Sequence, residues 1–454
     1  MTEGSALRAL RQQVEHEYLA RTPRSRQLHA EARRVLPAGD TRSGLLFPPY
    51  PTYIDAAQGT QLIDVDGNTL TDFTFNSTSL IHGHAHLAIV EAIQRQAARG
   101  TAWNAPNRNV LRLAELLCAR VPSLDVVRFC NSGTEANMQA VKAARAFSGR
   151  DLILKMDGAY HGTYDGVELN MAEGRPVAAS AGVPRTTGKN VLLARYNDAE
   201  SAARLIYAYR DELAAVVVTP ILTRPSLGVP SEGYLQALRE ITRETGVLLL
   251  FDEVISLRVA PGGAQARFGV VPDLTAIGKI IGGGLPVGGF GGRADVMRVF
   301  GDDGPTQVVH AGTFNGNPLT AAAGVAAMEL LTPDAFARLD ALGAYLHTRL
   351  QMLVERHQLG FEVTVAGSLA SFDLPPAVRA DPAQAAAGAE LMRLLQLRLL
   401  TRGIKTYGLL VLSTVSTEAE IDGLIDELDA AFQVFHAAIQ ATIPALSRAV
   451  PQPV

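Results

Sequence analysis

The feature that most restricts the fold is a series of short, continuous apolar runs set apart by helical or loop sequence. Val126-Val127-Arg128-Phe129, Leu152-Ile153-Leu154, Val191-Leu192-Leu193, Ala215-Val216-Val217-Val218 and Val247-Leu248-Leu249-Leu250-Phe251 all fall between about residues 85 and 300. A strand that alternates polar and apolar residues buries one face, whereas a strand apolar at nearly every position is buried on both. Such runs, each followed by helical or loop sequence, predict an α/β fold with buried parallel strands. Upstream, residues 7–36 read as a helical arm broken by Pro37-Ala38-Gly39-Asp40, and Asp66-Gly67-Asn68 reads as a hairpin turn. From about residue 318 the chain becomes helical and rich in Ala and Leu. Within that part, 409–412 reads as a strand, 421–435 as a closing amphipathic helix, and the tail 451–454 is expected to fray.

Composition narrows the function. Of 454 residues, 47% are hydrophobic and 19% charged, which suits a globular chain with a large core and excludes a disordered one. Lys plus Arg number 41 against 45 Asp plus Glu, a net charge of −4 that leaves no electrostatic footprint for nucleic acid or an anionic membrane. Two cysteines, Cys118 and Cys130, are too few for a disulfide framework or a Cys-based zinc site, and they fit a reduced, cytoplasmic protein. The start of the chain has no apolar signal core, and no stretch approaches the roughly 20 apolar residues a membrane span needs. The expected partners are small molecules and a second copy of the chain.

Four segments carry chemistry. Phe129-Cys130-Asn131-Ser132-Gly133-Thr134-Glu135-Ala136-Asn137 ends a predicted strand and opens a predicted helix. Ser132 and Glu135 have capping-box spacing, Gly133 lets the backbone approach closely, and Ser132 and Thr134 offer hydroxyls. The N–H groups at a helix start make a phosphate cradle, although an ordinary helix cap reads the same way. Asp252, in Phe251-Asp252-Glu253-Val254, follows the most apolar run in the chain. Open α/β sheets place ligands there, and an ionised Asp can hold a proton on a heteroaromatic nitrogen; a helix-capping Asp is the plainer alternative. Lys279 stands in Ala276-Ile277-Gly278-Lys279-Ile280-Ile281-Gly282-Gly283-Gly284. Either it snorkels to the surface, or desolvation lowers its pKa and frees a nucleophile that forms Schiff bases. In His310-Ala311-Gly312-Thr313-Phe314-Asn315-Gly316-Asn317-Pro318, Thr313 can bind an anion or simply form a turn.

Two further patterns are set aside. Gly289-Phe290-Gly291-Gly292-Arg293-Ala294 matches a dinucleotide fingerprint, but it follows a Gly/Pro-rich loop and lacks the acidic residue about 20 positions on. His82-Gly83-His84-Ala85-His86 suggests a metal site but has no carboxylate or Cys nearby in sequence, so no metal is expected. Together the four segments ask for a ligand with a phosphate, a basic ring nitrogen and a carbonyl that captures lysine. Pyridoxal phosphate has all three.

On these residues the sequence resembles the class-III pyridoxal-phosphate-dependent aminotransferases of fold type I, in the branch of glutamate-1-semialdehyde aminomutases and β-amino-acid aminotransferases. The resemblance runs from about residue 30 to 435. It rests on Asp64-Val65-Asp66-Gly67, Gly83-His84-Ala85-His86, Asn131-Ser132-Gly133-Thr134-Glu135-Ala136, Gly158-Ala159-Tyr160-His161-Gly162, Phe251-Asp252-Glu253-Val254, Gly278-Lys279-Ile280-Ile281-Gly282-Gly283-Gly284 and Ala311-Gly312-Thr313. It implies a large domain with a mostly parallel central sheet and helices on both faces, plus a smaller α+β domain from both chain ends. The boundaries expected are 1–80 for the arm and part of the small domain, 81–330 for the large domain and 331–454 for the rest. By the same resemblance Lys279 would be the Schiff-base lysine and proton shuttle, and Asp252 the partner of the pyridine nitrogen. Val254 and Tyr160 would pack on the two ring faces, and Ser132, Gly133 and Thr134 would hold the phosphate. Thr313 would reach the phosphate of a neighbouring subunit, which implies a homodimer with shared sites. Arg42 matches a carboxylate-binding arginine of the β-amino-acid branch.

Departures from the family bear on substrate. Thr219, in Val218-Thr219-Pro220, stands where the family usually has Glu, and Thr223-Arg224-Pro225-Ser226 replaces a Gly-rich continuation. No arginine stands around Thr406-Tyr407-Gly408, where relatives carry a second one, so pyruvate is expected over 2-oxoglutarate. The expected activity is ping-pong transfer of an amino group from a β-amino acid or bulky amine to a 2-oxo acid. Alternatives are an aminomutase, disfavoured because Phe73-Thr74-Phe75-Asn76-Ser77-Thr78 lacks the Trp-Gly-Pro run of those relatives, and a catalytically silent homologue, disfavoured by Lys279 and Asp252.

Overall fold

In the computed structural model the larger of two compact units, residues 78–81 and 87–340, is organised around a seven-stranded sheet. The structure describes residues 3–45, 47–172, 174–224, 226–301 and 307–447; the tail expected to fray lies outside them, as does Pro225. In chain order the strands are β1 Val126–Cys130, β2 Leu152–Met156, β3 Val191–Ala194, β4 Leu213–Val218, β5 Leu248–Asp252, β6 Leu274–Gly278 and β7 Gly288–Gly292. In space they run β1-β7-β6-β5-β4-β2-β3. The pairs β2–β3, β2–β4, β4–β5 and β5–β6 are parallel, as the apolar runs predict.

Burial on both faces explains those runs. On β4, Ala215 and Val217 face a core that includes Ala136, Ala140 and Ala144 of the helix Gly133–Ser148. Val216 and Val218 face a second core with Ala202, Ile206, Leu235 and Leu238. Each large aliphatic side chain so buried contributes about 1.5–3 kcal/mol. The run at β1 departs from the expectation. Val126 is 43% exposed and only the distal end of the strand is buried, because β1 is an edge strand.

The sequence reading does not contain β7. Residues 288–292 are Gly-Gly-Phe-Gly-Gly, four of them glycines depleted in strands, and the apparent dinucleotide fingerprint begins within this strand. Its direction follows from the connection. Nine residues separate β6 from β7, too few for a helical crossover, and β7 pairs antiparallel with both β6 and β1. Its glycines let neighbouring chain come close: a Cβ on Gly288 would lie 2.0 Å from the Ser132 carbonyl oxygen and 2.6 Å from Cys130 Sγ.

The second unit takes residues up to 77, with 82–86 and 341 onwards. The helical arm is two helices, Glu3–Arg21 and Pro23–Ala32, and the hairpin at Asp66-Gly67-Asn68 joins the antiparallel strands Gln61–Asp64 and Thr69–Asp72. A hairpin of Glu362–Ala366 and Leu369–Asp373 stands where only helix was expected. The helices Pro382–Thr401 and Glu418–Thr442 complete the core of this unit with Leu394, Leu424, Leu428 and Phe435. No helix of the described residues is long and apolar enough to cross a membrane. Gly288→Ala should lower the free energy of unfolding by about 1–3 kcal/mol through overpacking against Ser132, read as a shifted urea midpoint. An unchanged midpoint would show that the close approach is not a constraint.

Candidate active site

The carboxyl ends of the parallel strands bring the chemistry of the large unit to one edge of the sheet. After β1, Ser132 caps the helix Gly133–Ser148 by accepting from Glu135 N at 3.1 Å. The predicted capping box is completed differently: Glu135 reaches past the cap to accept from Asn131 N at 2.9 Å. The first N–H groups of this helix have no intrahelical acceptor, and Ser132 and Thr134 bring hydroxyls beside them. Gly162, at φ 106°, is a position where a Cβ would run into Thr134 at 2.6–2.8 Å, and Thr163 N donates to Thr134 Oγ1 at 3.3 Å. The loop after β2 is thus fitted to the start of that helix.

At the end of β5, Asp252 is 5% exposed and held from three sides. Its Oδ2 takes Asn137 Nδ2 at 2.9 Å and His161 Nδ1 at 2.8 Å, and its Oδ1 takes Val254 N at 3.1 Å. Val254 lies between two glycines: a Cβ on Gly133 would meet it at 2.8 Å and one on Gly278 at 3.3 Å. Tyr160, beside His161, is 53% exposed, and the Arg224 guanidinium sits 5.4 Å from its ring centroid. Thr219, at the end of β4, donates its hydroxyl to the Asp252 carbonyl at 3.3 Å.

Lys279 follows β6 directly, with backbone φ 51°, and its neighbours Ile277, Ile280 and Ile281 are buried. Its Nζ donates to Thr78 Oγ1 at 3.1 Å. Burial lowers its pKa from the ordinary lysine value to about 8; the Arg258 and Arg224 cations push the same way and the Asp252 carboxylate opposes them. The side chain is half-buried, and its amine is turned to the Thr78 hydroxyl.

Two of the predicted residues stand apart. Thr313 is exposed in the loop before the helix Pro318–Leu330, and among the described residues no hydrogen bond joins it to Ser132, Gly133 or Thr134. Arg42 belongs to the other unit, where it is exposed with Nη1 donating to Asn76 Oδ1 at 3.4 Å. In that unit, too, His84 Nε2 meets Asp72 Oδ2 at 2.8 Å, so the histidine cluster does have a carboxylate beside it; among the described residues no group of three or more His, Cys, Asp or Glu is placed to hold a metal ion.

Sequence reasoning missed Asn137, His161, Thr78, Arg258 and Arg224. Asn137 offered a signal, a polar residue beside Ala136 and Ala140 on a helix face otherwise apolar. His161 offered another, a titratable ring next to Tyr160 and before a glycine. Thr78 was noted only as the end of the segment 73–78, without a role of its own, and Arg258 offered no signal, because only the tertiary fold brings it to Lys279.

The donor set fits pyridoxal phosphate. Asp252 Oδ1 has one protein donor and retains capacity to accept from a protonated ring nitrogen. Asn137 Nδ2 and His161 Nδ1 both hold Oδ2, which leaves Oδ1 as the oxygen free for such a proton. The helix start suits a phosphate, and Lys279 suits an aldehyde.

Comparison with known proteins agrees. Residues 48–431 match the family model of the class-III aminotransferases. The chain belongs to that family. Glutamate-1-semialdehyde 2,1-aminomutase 1 of Bacillus cereus (strain G9842) is 36% identical over 408 residues, 87% of this chain and 95% of that protein. Among solved structures, an omega-transaminase from Sphaerobacter thermophilus superposes with TM-score 0.86 at 44% identity, covering 91% of this chain and 98% of that one. A β-phenylalanine aminotransferase from Variovorax paradoxus gives TM-score 0.86 at 34% identity, covering 97% and 100%. The fold is therefore fold type I, and this class-III aminotransferase is a pyridoxal-phosphate enzyme.

The lysine of this aminotransferase makes a stability prediction with a definite sign. Between about pH 8 and the ordinary lysine value the unfolded chain binds the proton that folded Lys279 has released, so folding of the cofactor-free protein is favoured as pH rises through that window. Below it the buried amine is a net burden of up to roughly 3 kcal/mol. Cofactor-free Lys279→Met should therefore be more stable than the parent at pH 7, with the advantage shrinking towards pH 10.5. Paired urea titrations at the two pH values check this, and a variant less stable at pH 7 would contradict the burial argument.

Proposed function

We propose that this enzyme moves an amino group from a β-amino acid or bulky amine to a 2-oxo acid, with pyruvate favoured, in a ping-pong cycle. The observation that carries the reading is the pairing, at one sheet edge, of a half-buried amine of lowered pKa at Lys279 with a carboxylate at Asp252 held by His161 and Asn137. Pyridoxal phosphate, when bound, supplies an aldehyde that captures amines and a ring that accepts negative charge from the adjoining carbon. In this reading Asp252 keeps the ring nitrogen protonated, with His161 and Asn137 fixing the carboxylate. Ser132, Gly133 and Thr134 hold the phosphate, and Val254 and Tyr160 bound the ring. Lys279 Nζ would serve as the base that takes the proton from the donor carbon bearing nitrogen and, in the second half of the cycle, as the acid that delivers a proton to the acceptor carbon that gains nitrogen. Arg42 pairs with the donor carboxylate through a bidentate guanidinium contact.

Transfer is supported by the omega-transaminase and β-phenylalanine aminotransferase among the structural neighbours. The aminomutase among the sequence relatives supports a second reading, an isomerase that moves the amino group within one molecule. The two differ in whether an external acceptor is consumed. Exposed Thr313, with Val309 and Phe314 exposed in the same segment, supports a homodimer in which this loop meets a second copy. Two free thiols, Cys118 and Cys130, are in keeping with a reducing cytoplasm.

With β-phenylalanine as donor, product formation should require pyruvate and yield alanine; turnover without any acceptor would favour the isomerase. Higher kcat/KM with 2-oxoglutarate than with pyruvate would overturn the acceptor assignment and point to Arg224 as the extra cation. Lys279→Ala should abolish the visible absorbance of the bound cofactor together with turnover. Arg42→Leu should raise KM for a β-amino acid about 10–100-fold while leaving KM for a carboxylate-free amine nearly unchanged, the loss expected for one charged hydrogen-bonded contact.

A further inference from the structure

We propose that Thr78 and the buried Arg258 form a positioning device for Lys279: Arg258 pins the backbone at Thr78, and the Thr78 hydroxyl receives and aims the ε-amine whenever it is free. The proposal rests on the reading of Lys279 as the cofactor lysine.

The backbone from Phe75 to Thr78 has φ values of 41°, 50°, 54° and 79°, four successive non-glycine residues in the left-handed region. Each such residue is unfavourable by about 1–2 kcal/mol, and a β-branched residue such as Thr78 is a clear outlier there. A turn of this kind persists only when its surroundings hold it, and such turns gather at functional sites. Arg258 supplies a hold. It is 1% exposed, and its Nη1 donates to the Thr78 carbonyl oxygen at 2.8 Å. The segment carrying Arg258, Ser256–Val259, is itself anchored, because the fully buried Glu253 carboxylate accepts from Ser256 Oγ, Ala264 N, Gln265 N and Gln265 Nε2 at 2.6–3.0 Å.

The other side of Thr78 meets the reactive group. Lys279 Nζ donates to Thr78 Oγ1 at 3.1 Å, and Lys279 is also left-handed, so the hydrogen bond joins two strained positions. When the amine donates to a hydroxyl, its lone pair stays available to pick up a proton. The charged groups acting on it include the Arg258 and Arg224 cations and the Asp252 carboxylate. Arg258 thus serves twice, through the Thr78 carbonyl and through its charge.

The test compares holoenzymes. Thr78→Val should lower kcat about tenfold or more with donor KM within about threefold, and should raise the deuterium isotope effect at the donor carbon, because proton transfer slows. Thr78→Ser should restore most of the rate. In cofactor-free protein, site-resolved labelling of Lys279 with an amine-reactive reagent across pH should show a higher midpoint for Arg258→Met and a parental midpoint for Arg258→Lys. Parental kcat and isotope effect in Thr78→Val would overturn the proposal; if Arg258→Met fails to fold, the Thr78 pair decides alone. Lys279→Ala separates the two levels. Retained turnover there sinks the lysine assignment, whereas lost turnover there with intact Thr78→Val sinks only the positioning device.

Discussion

The site depends on backbones coming closer than side chains allow. Where β7 crosses between β1 and β6, a Cβ at Gly288 would lie 2.0 Å from the Ser132 carbonyl oxygen, and one at Gly291 would lie 2.1 Å from the Val126 carbonyl oxygen. Gly133 and Gly278 leave the space that Val254 fills. These absences let a helix start, a carboxylate and a lysine share one edge of the sheet. Glycine adds nothing to the core and loses more entropy on folding than any other residue, so the apolar cores on both faces must offset it. The short link between β6 and β7 sets this arrangement, because it forces the antiparallel return.

Lys279 shows the opposing claims of stability and chemistry. An amine among Ile277, Ile280 and Ile281 is a poor way to build a core, and the two nearby cations make it poorer. The same features keep a fraction of it neutral near pH 8, where it can attack a carbonyl or take a proton. Sites that run acid–base chemistry commonly carry this burden, and the surrounding sheet supplies the stability.

The sequence made the large unit legible where burial has a simple period. Strands β2 to β5 could be read because side chains pack on both faces; Ser132 and Asp252 were singled out at the ends of such runs, and Lys279 by its isoleucine and glycine neighbours. Strand β7 could not be read, because four of its five residues have no side chain and its position comes from pairing alone. The hairpin Glu362–Ala366 with Leu369–Asp373 was overlooked although Gly367-Ser368 lies between two alternating segments, and the Ala- and Leu-rich sequence around it masked the signal. Asn137 and His161 were named only as members of motifs. Both hydrogen-bond Asp252, across 115 and 91 residues of chain. Thr78 and Arg258, 180 residues apart, are joined in the same way.

Charge at the strand ends also bears on what the site will accept. The resemblance leads one to expect a glutamate at position 219, and threonine stands there, its hydroxyl spent on the Asp252 carbonyl. The charges acting on Lys279 include two guanidinium groups and one carboxylate, and Asp252 is bound by Asn137, His161 and Val254 N. Among the described residues no carboxylate pairs with Arg224, whose guanidinium rests over Tyr160. Positive charge of this kind attracts anions in general. A glutamate at position 219 would bring a second carboxylate to this end of the sheet, whereas the threonine adds no charge and spends its hydroxyl on the backbone of Asp252.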